Sequence, residues 1–357
     1  MQYEWINNVA NMSSDYTIIH FHNYFNQKID PNTLPEKLTT LTFGTNFNQK
    51  IEPNTLPENL TTLIFGYDFN QKIDPDTLPE NLSILNFGFN FNQKIESNTL
   101  SENLTTLIFG DNFNQKIEPN TLPEKLTTLI FGDNFNQKIE PNTLSDQLTT
   151  LTFDYWFDQK IEPNTLPENL TNLTFGYTFN QKIQPNTLPE NLATLTFGFY
   201  FDQKIEPNIL PDKITTLEFK GAFNQKIEPH ILPENLKTLL FGYGFNQKIK
   251  PKMLPHRLLN IKFNWLDLNK DDSIKYYIEI VNNIPNYYHL EIFLKDNIFG
   301  NNGLKWPIHV FEYRKNEWPL DIYEIRNKYT HPFYGPIRIL INKKTFQSYS
   351  SAKSALK

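Results

Sequence analysis

The chain has 357 residues, with 33 Lys and Arg against 39 Asp and Glu, and no cysteine. The missing cysteine excludes disulfides, thiolate metal sites and thiol nucleophiles, and fits a reducing compartment. Residues 1–265 carry 20 basic against 29 acidic side chains, and residues 266–357 carry 13 against 10, so neither part offers the basic stripe that a phosphate backbone requires. We therefore expect no nucleic-acid partner. No run of about 18 apolar residues occurs, so no spanning helix is expected. Met1 to Ser14 is polar and lacks the charged-then-apolar plan of a secretory signal. These features predict no membrane partner and an intracellular, cytoplasmic location.

An N-terminal segment, residues 1–24, precedes a strict internal period. Phe-Asn-Gln-Lys-Ile begins at Phe25 and recurs every 22 residues to Phe245, eleven copies in all, with Asp for Asn at Asp158 and Asp202. Self-similarity of this kind marks a stacked-repeat architecture. The unit reads F-N-Q-K-I-E-P-N-T-L-P-E-N-L-T-T-L-T-F-G-x-x. Phe at positions 1 and 19, Ile at 5, and Leu at 10, 14 and 17 form six near-invariant apolar columns. Leu63 and Phe65 alternate with Thr62 and Ile64, the period-2 pattern of a short half-buried strand, predicted over positions 16–19. One such strand buries too little to stand alone, but parallel stacking of the turns gives a continuous core, with the position-19 phenylalanines expected as its most buried column.

Proline occupies position 7 in ten copies and position 11 in nine, which excludes a regular α-helix on the returning side. Leu-Pro-Glu-Asn reads as a turn with Pro at its second place, and Gly at position 20 as the bend that ends the strand. The fixed Asn, Gln and Lys at positions 2–4 read either as a repeated ligand comb or as amides bridging one turn to the next; the second reading is preferred. The Asn-Leu-Thr triplets, such as Asn59 to Thr61, match a glycosylation acceptor by accident of the repeat.

These residues carry a family likeness. Leu-x-x-Leu-x-Phe within a 22-residue period resembles a leucine-rich repeat, and Phe-Asn-Gln-Lys-Ile-x-Pro…Leu-Pro-x-x-Leu is similar to the FNIP repeat of social amoebae and of giant viruses that infect them. The likeness covers about residues 25–266. It implies a leucine-rich-repeat-like parallel β-solenoid with little helix, used for protein recognition, and host cytoplasm if the chain is viral. Some relatives carry an F-box for a ubiquitin ligase, but only 24 residues precede the first repeat here. Those residues read as a capping half-repeat, because Tyr16, Ile19 and Phe21 lie 22 residues before Leu38, Leu41 and Phe43.

Residues 267–357 change character and read as a small α/β cap. Asp271-Asp272-Ser273 can start a helix to about Asn283, and His289 to Leu294, Ile308 to Tyr313 and Ile337 to Ile341 alternate like strands. No nucleotide loop, zinc motif or nucleophile elbow occurs. His20 and His22 share a strand face but read as a surface pair, and Asp267 to Asp272 reads as a helix-capping turn and not as a calcium loop. The chain is expected to be no enzyme and to need no cofactor or metal.

The variable columns are the candidate contact surface. Position 21 is aromatic in Tyr67, Phe89, Tyr155, Tyr177, Phe199, Tyr243 and Trp265, and acidic in Asp111 and Asp133; position 22 adds Trp156 and Tyr200. Ten of these, Tyr67, Phe89, Asp111, Asp133, Tyr155, Trp156, Tyr177, Phe199, Tyr200 and Tyr243, are the candidate partner-binding residues. Aromatics at successive turns can anchor an interface or pack on one another. The leading expectation is a non-enzymatic scaffold that binds a protein. The alternatives are a structural or particle-associated protein, a ubiquitin-ligase adaptor without its own F-box, and an enzyme housed in residues 267–357.

Overall fold

The computed structural model describes residues 12–247, 249–250 and 253–267, with strand segments at 3–6, 289–295, 310–313, 322–326 and 338–342. It divides into two units, residues 1–192 and 193–357. In the first, β1 (Tyr3–Ile6) and β2 (Ile18–Phe21) are followed by β3 (Thr40–Thr42), β4 (Thr62–Ile64), β5 (Ile84–Asn86), β6 (Thr106–Ile108), β7 (Thr128–Ile130), β8 (Thr150–Thr152) and β9 (Asn172–Thr174). From β2 to β9 each strand pairs in parallel with the next at an offset of 22, as in Leu41 against Leu63 and Leu129 against Leu151. Ile19 enters this register, and both Ile19 and Phe21 are buried. Strand β1 lies outside the period and pairs with β2 at an offset of 15.

The second unit holds β10 (Thr194–Phe197), β11 (Thr216–Phe219), β12 (Thr238–Phe241) and β13 (Asn260–Asp267) in the same parallel register. β14 (His289–Lys295) joins β13 in parallel, with an irregularity at Asn264 and Leu266. β15 (Val310–Tyr313), β16 (Ile322–Arg326) and β17 (Arg338–Asn342) then pair antiparallel in sequence. Three of these strands fall on the predicted segments; the helix predicted near Asp271 to Asn283 lies outside the described residues. The repeats of both units form leucine-rich-repeat-like parallel β-solenoids, and no α-helix occurs among the described residues.

Each turn is one short strand and three corners. The strand covers positions 16–18 from β3 to β9, one residue shorter than predicted, and reaches position 19 in β2 and from β10 onward. The N–H of the position-19 phenylalanine still bonds across, as from Phe43 to the Ile64 carbonyl at 2.8 Å. The first corner runs from the glycine at position 20 to the phenylalanine that opens the next unit, as in the Phe69 N–H to the Gly66 carbonyl at 3.3 Å. At the second, the position-7 proline is followed by a residue in the left-handed region, Asn54 at φ 64° and nine counterparts including Asp76 and His230. Proline and a positive-φ Asn at the two central places are the signature of a type II turn, closed by the Thr55 N–H on the Glu52 carbonyl at 3.1 Å. The third corner is Pro-Glu-Asn-Leu, closed by the Leu60 N–H on the Pro57 carbonyl at 3.0 Å, so the proline at position 11 stands first in its turn and not second. Where Ser101 replaces it, the serine Oγ donates to the Glu80 carbonyl (2.7 Å) and accepts from the Asn103 N–H (3.2 Å).

The glycine at position 20 has a reason other than the predicted one. Gly44, Gly66, Gly88, Gly110, Gly132, Gly176 and Gly242 do not have positive φ; a Cβ on Gly110 would instead fall inside the carbonyl of Gly88 one turn below. Close backbone approach, not bending, selects glycine there.

The six apolar columns point inward. Positions 14 and 17 are fully buried along the coil, and the position-19 phenylalanines are nearly so, at 0–4 % exposure, because they abut the 20–22 corner. Position 19 is therefore not the most buried column. Its rings do meet their counterparts in both neighbouring turns, 5.5 Å from Phe131 to Phe153 and 5.6 Å to Phe109, and Phe135 stacks on Phe131 at 3.8 Å. Two phenylalanine columns thus form one continuous zipper in each unit.

Candidate functional site

The fixed polar columns are committed to stacking. Asn48 Oδ1 accepts the Asn70 backbone N–H and the Gln71 Nε2 amide, both at 3.0 Å, and the pattern repeats turn by turn. Position 13 does likewise: Asn59 Nδ2 donates to the Glu36 carbonyl at 2.8 Å, so the glycosylation-like triplets hold an amide already engaged. The position-4 lysine meets the acidic position 6 within and between turns, as in Lys116–Glu118 and Lys50–Asp74, both at 3.0 Å. These pairs are exposed and contribute little. The turn-bridging reading of positions 2–4 is what the geometry shows for Asn and Gln.

The variable corner 20–22 is where turns differ. Positions 21 and 22 are its two central residues, and the N–H of position 22 donates to the carbonyl of position 21 one turn earlier (Asn90 to Tyr67, Asn112 to Phe89, Asn134 to Asp111, Trp156 to Asp133), at 2.7–2.9 Å. Consecutive position-21 side chains in the first unit therefore form one outward column: Tyr67, Phe89, Asp111, Asp133, Tyr155, Tyr177. Tyr67 and Phe89 stack at 4.4 Å, and Tyr155 and Tyr177 at 4.5 Å, with Trp156 edge-on to Tyr155 at 4.7 Å. The candidate rings thus both pack on one another and stay accessible: Tyr67 and Trp156 are about half exposed. Asp111 and Asp133 interrupt the column as a like-charged pair, and partial burial, followed by the neighbouring Asp133 charge, raises the Asp111 carboxyl above its ordinary range. In the second unit, Phe199 sits edge-on to Tyr200 at 5.5 Å and tilted against Tyr243 at 6.5 Å, with Tyr200 and Tyr243 exposed. The Trp265 side chain lies outside the described residues.

Beside this column the first unit carries a feature that sequence reading passed over. Positions 22 and 2 flank the buried phenylalanine of position 1 and share an outward face. From Asn26 to Trp156 they line an open groove of about 1140 Å³, bordered by ten asparagines, Asp68 and Trp156. The position-22 asparagines form their own ladder: Asn112 Nδ2 donates to Asn90 Oδ1 at 2.8 Å and Asn134 Nδ2 to Asn112 Oδ1 at 2.9 Å. The signal was readable as a second asparagine two residues before the fixed one.

Among the described residues no three His, Cys, Asp or Glu are placed to hold a metal, and no helix is long and apolar enough to cross a membrane.

The FNIP Repeat family matches residues 16–46, 47–90, 91–134, 135–178, 179–221 and 223–264. The chain belongs to the FNIP repeat family. Among solved structures it is similar to "The crystal structure of CroV588 a novel circular LRR protein structure", a giant-virus protein, at 45% identity and a TM-score of 0.66. That likeness covers 71% of this chain and 40% of the other, so the chain spans less than half of its neighbour's length. No curated protein matches. Repeat solenoids of the FNIP and leucine-rich type are typical of interaction scaffolds and typically have no catalytic role.

Proposed function

We propose that this FNIP-repeat chain is a non-enzymatic scaffold that captures a protein partner along the position-21 column. The supporting observation is the order within that column: a stacked aromatic pair, two adjacent carboxylates, and a second stacked aromatic pair, carried on successive turns of a rigid coil. Preordered rings can fill partner pockets at little conformational cost, and aromatic anchors of this kind carry about 2 kcal/mol or more each. The carboxylate pair between them suits a lysine or arginine of the partner, which would relieve the repulsion between Asp111 and Asp133. The remaining candidates, Trp156, Phe199, Tyr200 and Tyr243, occupy the same corner in their own turns. An intracellular setting, host cytoplasm for a viral chain, fits a protein without cysteine.

Proximity labelling in the native cell or infected host, followed by reciprocal purification, identifies the partner. Replacing Tyr155 and Tyr177 together by Ser is expected to abolish its capture while lowering the melting temperature only slightly, and Asp111→Asn with Asp133→Asn to weaken capture and reduce its salt dependence. Full capture by both variants would remove the column from the account.

A further inference from the structure

The groove formed by positions 22 and 2 is a separate surface, and its hydrogen-bond inventory is lopsided. From Asn26 to Asn136 each position-2 asparagine uses its oxygen twice, as Asn92 Oδ1 does on Asn114 N–H and Gln115 Nε2, both at 3.0 Å. Its amide nitrogen is not needed for stacking: Asp158 and Asp202 replace it, and their oxygens accept the same two groups. Among the described residues the Nδ2 groups of Asn48, Asn70, Asn92 and Asn114 have no partner, which leaves two N–H donors on each of these turns. The position-22 ladder uses one N–H per amide and leaves the other.

The position-22 amides are also dispensable to the fold. Later turns place Thr178, Tyr200, Ala222 and Gly244 at the same corner. The asparagines are confined to the turns that line the groove, and aromatic residues bracket them: in the same column, Tyr24 stands one turn before Asn46 and is 87 % exposed, and Trp156 follows Asn134 and is 52 % exposed. Six steps at the parallel-strand spacing put these rings roughly 29 Å apart.

We infer that this groove binds a linear neutral polysaccharide. Hydroxyl and ring oxygens along a glycan accept the array of amide N–H donors, hydroxyl protons return to Asp68 and the position-22 asparagine oxygens, which accept only one bond each in the ladder, and the C–H face of a terminal sugar packs on Trp156 or Tyr24. A nucleic acid fits poorly, because the lining holds no cation and one carboxylate. An added peptide strand also fits poorly: the backbone N–H groups of positions 22 and 2 and the position-21 carbonyl are already bonded from turn to turn, so the groove keeps few main-chain donors for a strand.

The test is titration calorimetry of the full chain with cellohexaose, chitohexaose and maltohexaose, and with a neutral extended hexapeptide as control. At least one glycan is expected to bind and the peptide not. In the double variant Asn48→Asp, Asn92→Asp, two turns apart as Asp158 and Asp202 are, which keeps the stacking oxygens and removes four donors, affinity is expected to fall at least tenfold with the melting temperature unchanged. Trp156→Ala is expected to lower it by a similar factor. No binding of any of the three glycans, equal binding by the double variant, or preference for the peptide would each overturn the inference. The double variant leaves position 21 intact, so it separates this groove from the protein-contact column.

Discussion

Asp158 Oδ1 accepts the backbone N–H of Asn180 at 2.8 Å, the same bond that an asparagine makes in most other turns. Position 2 is therefore selected for an acceptor oxygen held over the next turn, and the nitrogen is incidental to stacking. Asn92→Asp, whose neighbours in the column are Asn70 and Asn114, is expected to leave thermal stability unchanged. Asn136→Ala leaves the Asp158 N–H and the Gln159 amide without their acceptor and is expected to cost about 1–3 kcal/mol, measured by denaturant unfolding.

Phe131 is fully buried and stacks on Phe135 while meeting Phe109 and Phe153. Its neighbours belong to a rigid column and cannot collapse into the gap, so Phe131→Ala is expected to cost about 3–5 kcal/mol. Hydrogen exchange should show the loss concentrated in turns flanking β7. A cost below about 1 kcal/mol would mean that the zipper can repack.

Thr99, like Thr55 and Thr143, buries its hydroxyl without a partner. An unpaired buried hydroxyl is a cost, and the chain itself places Ile209 and Ile231, both buried, at the same unit position. Thr99→Val is expected to be neutral or to stabilise by about 1 kcal/mol in chemical denaturation. A marked loss would show that the hydroxyl finds a water.

Asp111 should leave a pH signature. Burial and the Asp133 charge raise its folded pKa above that of the unfolded chain. In acid both states hold the proton and nothing changes. As pH rises past the ordinary carboxylate range, near about pH 4, the unfolded chain releases its proton first, so stability falls through that window and stays lower above it. Asp111→Asn should remove this fall, giving a higher melting temperature than wild type at neutral pH and no advantage in strong acid.

Much of the fold was legible because each turn repeats the same physical demand. Leu63 and Phe65 announce the strand by alternation, and two prolines per turn forbid a helix opposite. What escaped was chemistry that needs neighbouring turns in view. The crowding that selects Gly110 comes from Gly88, 22 residues away, and the left-handed Asn54 was overshadowed by the proline before it. The strand ends at Ile64 and not at Phe65 because the 20–22 corner already draws the chain aside. The candidate column was readable as a list of residue types, but its internal stacking and the groove beside it depend on corner geometry that no single copy encodes.

The 22-residue offset, kept without an insertion from Phe25 to Phe245, makes the first unit a ruler with one graduation per turn. Unequal recombination between near-identical copies would add or remove whole graduations without disturbing any hydrogen bond inside a turn. The distance from Tyr24 to Trp156 can thereby change only in steps of one strand spacing, so evolution would tune the length of whatever this face accommodates by counting copies, not by altering side chains.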